Sequence, residues 1–297
     1  MRIISVCSVI IFFLFSGKSA VAQEVFKLWN AGEKPYYKTN DLVEYEEEFW
    51  GTTCVLHITE PTLTIFKAKG PNLGKAVLII PGGGYELVAM YHEGYEVAEK
   101  LSAMGITAAV LKYRLPNPKS SDQPQLVPLA DTRQALKMLR NRSETYGISK
   151  DKVGVMGFSA GSHLATVAGL WDTDDPEEKP NYTAQIYGVT NLSKDNLQWL
   201  EKSLYFRPLT AKEIKENTLL NLVNATTPPA FLVHAYDDDV CHVEETTGYA
   251  KKLFEHQVLA EMHLFPKGGH GFGLGKPKDG TDQWLNLFVN WLKNNNL

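Results

Sequence analysis

The chain has 297 residues and a formal net charge of −4, with 44% hydrophobic and 22% charged residues. That balance excludes a disordered or low-complexity chain, and a chain of this length buries roughly three quarters of the surface its unfolded form exposes. Nowhere do Lys and Arg cluster into a basic stripe, which argues against a nucleic-acid partner, because phosphate binding needs such clusters.

Met1-Arg2 gives the N-terminus a positive start, residues 3–15 are almost unbroken apolar, and Ala20-Val21-Ala22 offers a cleavage pattern before Gln23. Residues 1–22 therefore read as a cleavable signal peptide, and the mature protein as secreted or periplasmic. The apolar run is shorter than the ~20 residues that span a bilayer, and no later stretch reads as transmembrane, so stable membrane insertion is not expected. Beyond the leader only Cys54 and Cys241 remain, too few for a disulfide scaffold. A single bridge between them stays open in an oxidising compartment.

Residues 23–51, with Glu44 and Glu46-Glu47-Glu48, read as a solvated segment wrapping the domain, and 52–69 as one or two edge strands. The continuous apolar run 76–80 suits a central strand buried on both faces, and it ends in Pro81-Gly82-Gly83-Gly84-Tyr85. A helix follows, with Val97, Leu101 and Met104 at helical spacing and Gly105 closing it. Residues 106–113 form the next strand and 117–125 a Pro- and Ser-rich loop. In the amphipathic helix after it, Leu129, Leu136 and Leu139 share a face, with Arg133, Lys137 and Arg140 elsewhere.

A short strand around Val153 and Val155 leads into Gly157-Phe158-Ser159-Ala160-Gly161, the G-x-S-x-G pattern of a sharp strand-to-helix turn, and a helix over 162–170. The acidic run 172–178 reads as a solvated loop and 184–189 as a strand. Residues 191–224 lack strand character and suit an insertion over one end of the sheet. Strands at 229–235 and 260–265 alternate with helices at 244–256 and 283–293. This alternation predicts an α/β fold with a mostly parallel central sheet and helices on both faces, in one domain over residues 23–297.

A serine hydroxyl needs a base to take its proton, the base needs an orienting carboxylate, and the developing oxyanion needs preorganised donors. In the α/β-hydrolase arrangement these follow the chain order Ser, Asp or Glu, His. Downstream of Ser159, the strand ending at Ala235 runs into Tyr236-Asp237-Asp238-Asp239, where open α/β sheets place working residues. The strand 260–265 leads into Lys267-Gly268-Gly269-His270-Gly271, a histidine on a loop able to approach the serine turn closely. The glycines after strand 76–80 stand where such enzymes supply an oxyanion N–H, the second coming from the residue after the nucleophile, Ala160. They lack the spacing and the following Lys-Ser or Lys-Thr of a phosphate loop.

At these residues the chain resembles the secreted bacterial α/β-hydrolases related to acetylxylan and feruloyl esterases. The resemblance covers most of the mature chain. It is carried by Pro61-Thr62-Leu63-Thr64, the Pro81–Tyr85 turn, His92-Glu93-Gly94-Tyr95, Leu111-Lys112-Tyr113-Arg114-Leu115-Pro116, the serine turn, Thr227-Pro228-Pro229-Ala230-Phe231 and Gly269-His270-Gly271. It implies hydrolysis of acyl groups, acetyl foremost, on a plant cell-wall polysaccharide such as xylan. It also implies Ser159 as nucleophile, His270 as base and Asp238 as the orienting acid, with Asp237 as runner-up. Gly83, Gly84 and the Ala160 amide match the oxyanion donors. Two positions depart from the family pattern: Ser162 stands for a glycine after Gly161, and Cys241-His242 for Val-Pro after the acid.

His92, His163 and His234 read as structural, and no histidine or cysteine spacing suggests a metal or other cofactor. Trp199, Tyr205 and Phe206 suit either the small core of the insertion or sugar stacking. A prolyl-oligopeptidase-type peptidase would carry a propeller for which the length leaves no room, and a lipase would carry a more apolar lid. The sequence leaves the oligomeric state open.

Overall fold

The run 76–80 is buried at every position, as a strand covered on both faces must be. It forms β5 (Ala76–Ile80), an inner strand in the computed structural model, which describes residues 23–297. The leader expected over residues 1–22 lies outside the described residues. The other strands are β1 (Glu24–Lys27), β2 (Tyr45–Phe49), β3 (Thr52–Leu56), β4 (Thr62–Phe66), β6 (Thr107–Lys112), β7 (Val153–Phe158), β8 (Thr183–Ile186), β9 (Ala230–Ala235) and β10 (Ala260–Phe265). Eight of them form one sheet in the order β1-β4-β6-β5-β7-β8-β9-β10, with β2 and β3 paired separately as a hairpin. From β6 to β10 all neighbours run parallel; β4 and β1 are antiparallel to theirs.

The helices are α1 (Glu96–Ala103), α2 (Val127–Asn141), α3 (Ser143–Tyr146), α4 (Ala160–Leu170), α5 (Lys194–Leu200), α6 (Ala211–Asn217), α7 (Glu244–Glu255) and α8 (Trp284–Asn294), and they cover both faces of the sheet. Every residue of α4 is buried, and its small residues let it pack closely against both the sheet and α2. On α8, Trp284, Phe288 and Trp291 pack edge-on or tilted against Phe158, Tyr182 and Phe231. Most core strands and helices stand within a few residues of the expected bounds.

The segment 23–51 differs from expectation. Within the segment expected only to wrap the domain, β1 is a true edge strand of the main sheet, paired to β4. Four residues long and with Val25 60% exposed, it carries too little alternation to be read. It also makes β4 an inner strand, while β3 leaves the main sheet for the hairpin. The acidic residues Glu46–Glu48 lie on β2 and are exposed.

Arg140 stands off the apolar face of α2 but is buried. It donates to the carbonyls of Lys150 and Lys179, to Asn181 Oδ1 and to the Glu177 carbonyl. With Lys137 paired to Asp175 at 2.7 Å, it ties down the acidic loop 172–178. A buried charge pair closes the other end of α2. Asp131 is fully buried and accepts from the Arg114 guanidinium (2.7–3.1 Å), the Arg114 N–H (2.9 Å) and the Trp29 indole (2.7 Å). The same Arg114 also donates to the Pro35 carbonyl at 2.9 Å, so the pair anchors the N-terminal segment.

Candidate active site

β7 ends at Phe158 and α4 begins at Ala160, so the chain must reverse within one residue. Ser159 makes that turn at φ 50°, ψ −120°, a conformation that costs a non-glycine residue about 1–3 kcal/mol and persists only where the surroundings impose it. Here they do: its N–H donates to the Ile186 carbonyl (3.0 Å), and its own carbonyl accepts from Ser162 and His163 (2.9 and 3.1 Å). Strand and helix approach so closely that a Cβ on Gly157 would lie 2.1 Å from the Gly161 carbonyl oxygen, which explains the first glycine of the pattern.

The three residues expected to work together meet. His270 Nδ1 lies 2.8 Å from Asp238 Oδ2, and His270 Nε2 lies 2.9 Å from Ser159 Oγ. A carboxylate only accepts, so Nδ1 carries the proton and Nε2 is left to accept from the serine hydroxyl. Asp238 follows the carboxyl end of β9 and is 4% exposed. Burial alone would raise its pKa. The hydrogen bonds from His234 and His270, the His270 charge and the Cys241 N–H outweigh it and hold the carboxyl well below the usual range. Its Oδ1 accepts the N–H groups of Val240 (2.9 Å) and Cys241 (2.8 Å).

Asp237 does something else. Its Oδ1 accepts the Gly269 N–H at 2.7 Å, pinning the histidine loop from outside. Of the three histidines expected to be structural, His234 sits beneath the site. It donates from Nε2 to the Cys241 carbonyl (2.7 Å), with Asp238 at 3.2 Å, and its Nδ1 meets Thr246 Oγ1 (2.7 Å). His92 Nε2 donates to the Gly271 carbonyl at 2.9 Å. His163, one turn into α4, meets Tyr85 OH through Nδ1 at 2.9 Å; burial lowers its pKa to about 4, so the ring is neutral at ordinary pH.

The glycine turn packs on the serine: a Cβ at Gly82 would lie 2.8 Å from Ser159 Cβ. Gly83 takes φ 124°, where a side chain would also strike the Leu87 carbonyl. Among the described residues, the N–H groups of Gly83 and Gly84 make no hydrogen bond within the chain. The Ala160 N–H stands at the first position of α4, an end with unpaired donors and a partial positive charge.

The insertion lies over this turn. α5 continues into a π-helical turn (Glu201–Tyr205), and Trp199 stacks on Tyr85 (5.5 Å, 15°) while donating to the Gly84 carbonyl (3.1 Å). Tyr205 is buried and bonded to Asn217, so it belongs to the insertion's core. Phe206 is 43% exposed at φ 57° and lines a groove of about 550 Å³ with Lys38, Asp122, Gln123 and Arg207. Cys54 and Cys241 are buried and free. Among the described residues no group of three or more His, Cys, Asp or Glu is arranged to hold a metal ion, and no helix is long and apolar enough to cross a membrane.

Two residues around the site were given no role from the sequence. Glu93 is buried between the glycine turn and Tyr187, and Tyr187 lies edge-on to His270 at 5.1 Å. The available signal was the block His92-Glu93-Gly94-Tyr95, one of those that carry the family resemblance.

A sheet of this topology, with Ser, Asp and His brought together in that chain order at the ends of parallel strands, is the α/β-hydrolase arrangement. Within that class the chain belongs to the BD-FAE family, whose model matches residues 64–253. It is 32% identical to the acetylxylan esterase of Xylanibacter ruminicola over 78% of this chain and 48% of that one. It is 27% identical to endo-1,4-beta-xylanase B of Butyrivibrio fibrisolvens over 86% and 43%. The chain thus spans about half the length of these curated relatives. Among solved structures it is similar to an acetyl ester-xyloside bifunctional hydrolase from Caldicellulosiruptor lactoaceticus, at a TM-score of 0.76 and 30% identity, covering 91% of this chain and 96% of that one.

Proposed function

We propose that this chain is a serine carboxylic ester hydrolase that removes acyl groups, acetyl foremost, from a xylan-type polysaccharide. The relay from Ser159 through His270 to Asp238 carries the reading. Ser159 Oγ attacks the ester carbonyl as His270 Nε2 takes its proton, and Asp238 holds the imidazolium that forms. The amides of Gly83, Gly84 and Ala160 receive the oxyanion. His270 returns the proton to the departing sugar oxygen, and a water activated by the same nitrogen releases the acid from the serine. The names of the relatives support acetyl as the acyl group and a xylose-based alcohol. Phe206, an exposed aromatic at the rim of a polar groove, supports a saccharide partner. The leader pattern at residues 1–22 supports action outside the cytoplasm.

The test compares wild type and Ser159→Ala on p-nitrophenyl acetate, acetylated xylan, acetylated pectin and methyl ferulate. Wild type is expected to release acetate from xylan fastest, and Ser159→Ala to fold normally with turnover reduced at least about a thousandfold. Activity retained in the variant overturns the serine mechanism. Release from ferulate alone overturns the acetyl assignment.

A further inference from the structure

Glu93 belongs to none of the steps above, yet it is the most deeply placed carboxylate beside them, 5% exposed in the π-helical turn (Met90–Tyr95) that enters α1. Its two oxygens reach two different parts of the site. Oε2 accepts the Gly82 N–H at 2.6 Å, at the first residue of the glycine turn. Oε1 accepts the Tyr187 hydroxyl at 2.8 Å, and that hydroxyl accepts the Gly273 N–H at 3.1 Å, three residues beyond His270. The Tyr187 ring lies edge-on to both His270 (5.1 Å) and Phe272 (4.6 Å). The neighbouring His92 holds the Gly271 carbonyl at 2.9 Å from the same turn.

The geometry has a consequence for the amides. Because the Gly82 N–H is committed to Glu93, the plane of that peptide is fixed, and the next amides of the turn are those without a partner in the chain. A Cβ at Gly82 would lie equally close, at 2.8 Å, to Glu93 Oε2 and to Ser159 Cβ, so the carboxylate and the serine clamp that residue from two sides. Burial pushes the Glu93 carboxyl above its usual range, while the Gly82 amide, the Tyr187 hydroxyl, His92 and His270 favour its anion. An unpaired carboxylate in such a place is strongly unfavourable, so both donors are held firmly to it.

We propose that Glu93 is a positioning residue that locks the oxyanion turn and the His270 loop into a single register, with Tyr187 as the link between them. The proposal rests on the serine-hydrolase reading. It differs from a purely structural role in what it predicts: misaligned donors weaken binding of the transition state more than of the ground state.

The test uses the full mature chain with Glu93→Gln, Tyr187→Phe and the double variant, the first two keeping the shape of the site. On p-nitrophenyl acetate, Glu93→Gln is expected to lower kcat by about tenfold or more, with KM changed less than about threefold. Tyr187→Phe is expected to lower kcat in the same sense. The double variant should be about as slow as the slower single variant, since residues acting as one unit are not additive. The rate at which a fluorophosphonate labels Ser159 is measured in parallel, because it depends on the same serine, histidine and amides without requiring the natural ester. Labelling should slow in Glu93→Gln in proportion to kcat. A Glu93→Gln variant with lower melting temperature but wild-type kcat and labelling overturns the proposal, as do multiplicative effects in the double variant. Labelling of wild type without hydrolysis of any ester would overturn the substrate assignment alone, and the comparison of labelling rates would still decide the role of Glu93.

Discussion

Asp237 and Asp238, adjacent in the chain, hold the histidine loop at two different points: Asp237 through the Gly269 N–H at 2.7 Å, Asp238 through the His270 ring at 2.8 Å. One sets where the loop runs, the other how the imidazole is protonated. Asp238→Asn should therefore lower kcat by about a thousandfold or more, because an amide donor facing Nδ1 favours the wrong tautomer. Asp237→Asn keeps an oxygen that accepts the Gly269 N–H and should cost less than about tenfold. Steady-state kinetics on p-nitrophenyl acetate read both, and the reverse order would exchange the roles.

A substitution at Phe206 should separate polymer from small ester. It faces solvent beside Lys38, Asp122, Gln123 and Arg207, in the chain that continues from the helix carrying Trp199 to the Gly84 carbonyl. Seven positions separate Trp199 from Phe206, so under the proposed function Phe206 would meet the saccharide rather than the reacting ester. Phe206→Ala is expected to raise KM severalfold on acetylated xylan and leave kinetics on p-nitrophenyl acetate unchanged. Equal effects on both substrates would count against a saccharide contact.

The buried imidazole of His163 gives a pH signature in stability. Burial lowers its folded pKa to about 4 from a reference of 6.5. Between those values the unfolded chain binds a proton that the folded chain does not, so this contribution is complete above pH 6.5 and is lost as pH falls toward 4. Melting temperatures from pH 7 to 4 should fall less steeply in His163→Gln than in wild type. Parallel curves would contradict the assignment of a neutral buried ring.

Removing Asp131 should be costly. It pairs with Arg114, which is 3% exposed, and its loss leaves a buried guanidinium with the Pro35 carbonyl as its remaining acceptor and no counter-charge. Asp131→Ala is expected to destabilise the fold by about 3–5 kcal/mol in urea unfolding. A loss below about 1 kcal/mol would mean that Arg114 finds water or another acceptor.

Where a single local pattern decided the structure, the sequence was legible. The five buried residues of β5, the glycine-flanked Ser159 and the glycine-set His270 each announce themselves within a few residues, and the order of Ser, Asp and His did the rest. What was not legible depends on contacts far apart in the chain. β1 is defined by pairing with β4 nearly forty residues later, not by its own four residues. Glu93 gains meaning only from Gly82 and Tyr187, the latter 94 residues away. Arg140 looks like one more charge on the polar side of α2 until the loop at 177–181 folds over it.

Cys241 shows how such a site tolerates change at its centre. Its N–H holds Asp238 Oδ1 and its carbonyl holds His234 Nε2, so its backbone supports the acid from two directions. Its thiol, raised in pKa by burial, is no part of that support. Substitution at this position is expected to spare the backbone contacts to Asp238 and His234 so long as the peptide keeps its place, while changing the side chain that meets Ser159. A change of side chain here is expected to reshape the wall beside the serine while the supports of the acid stay in place.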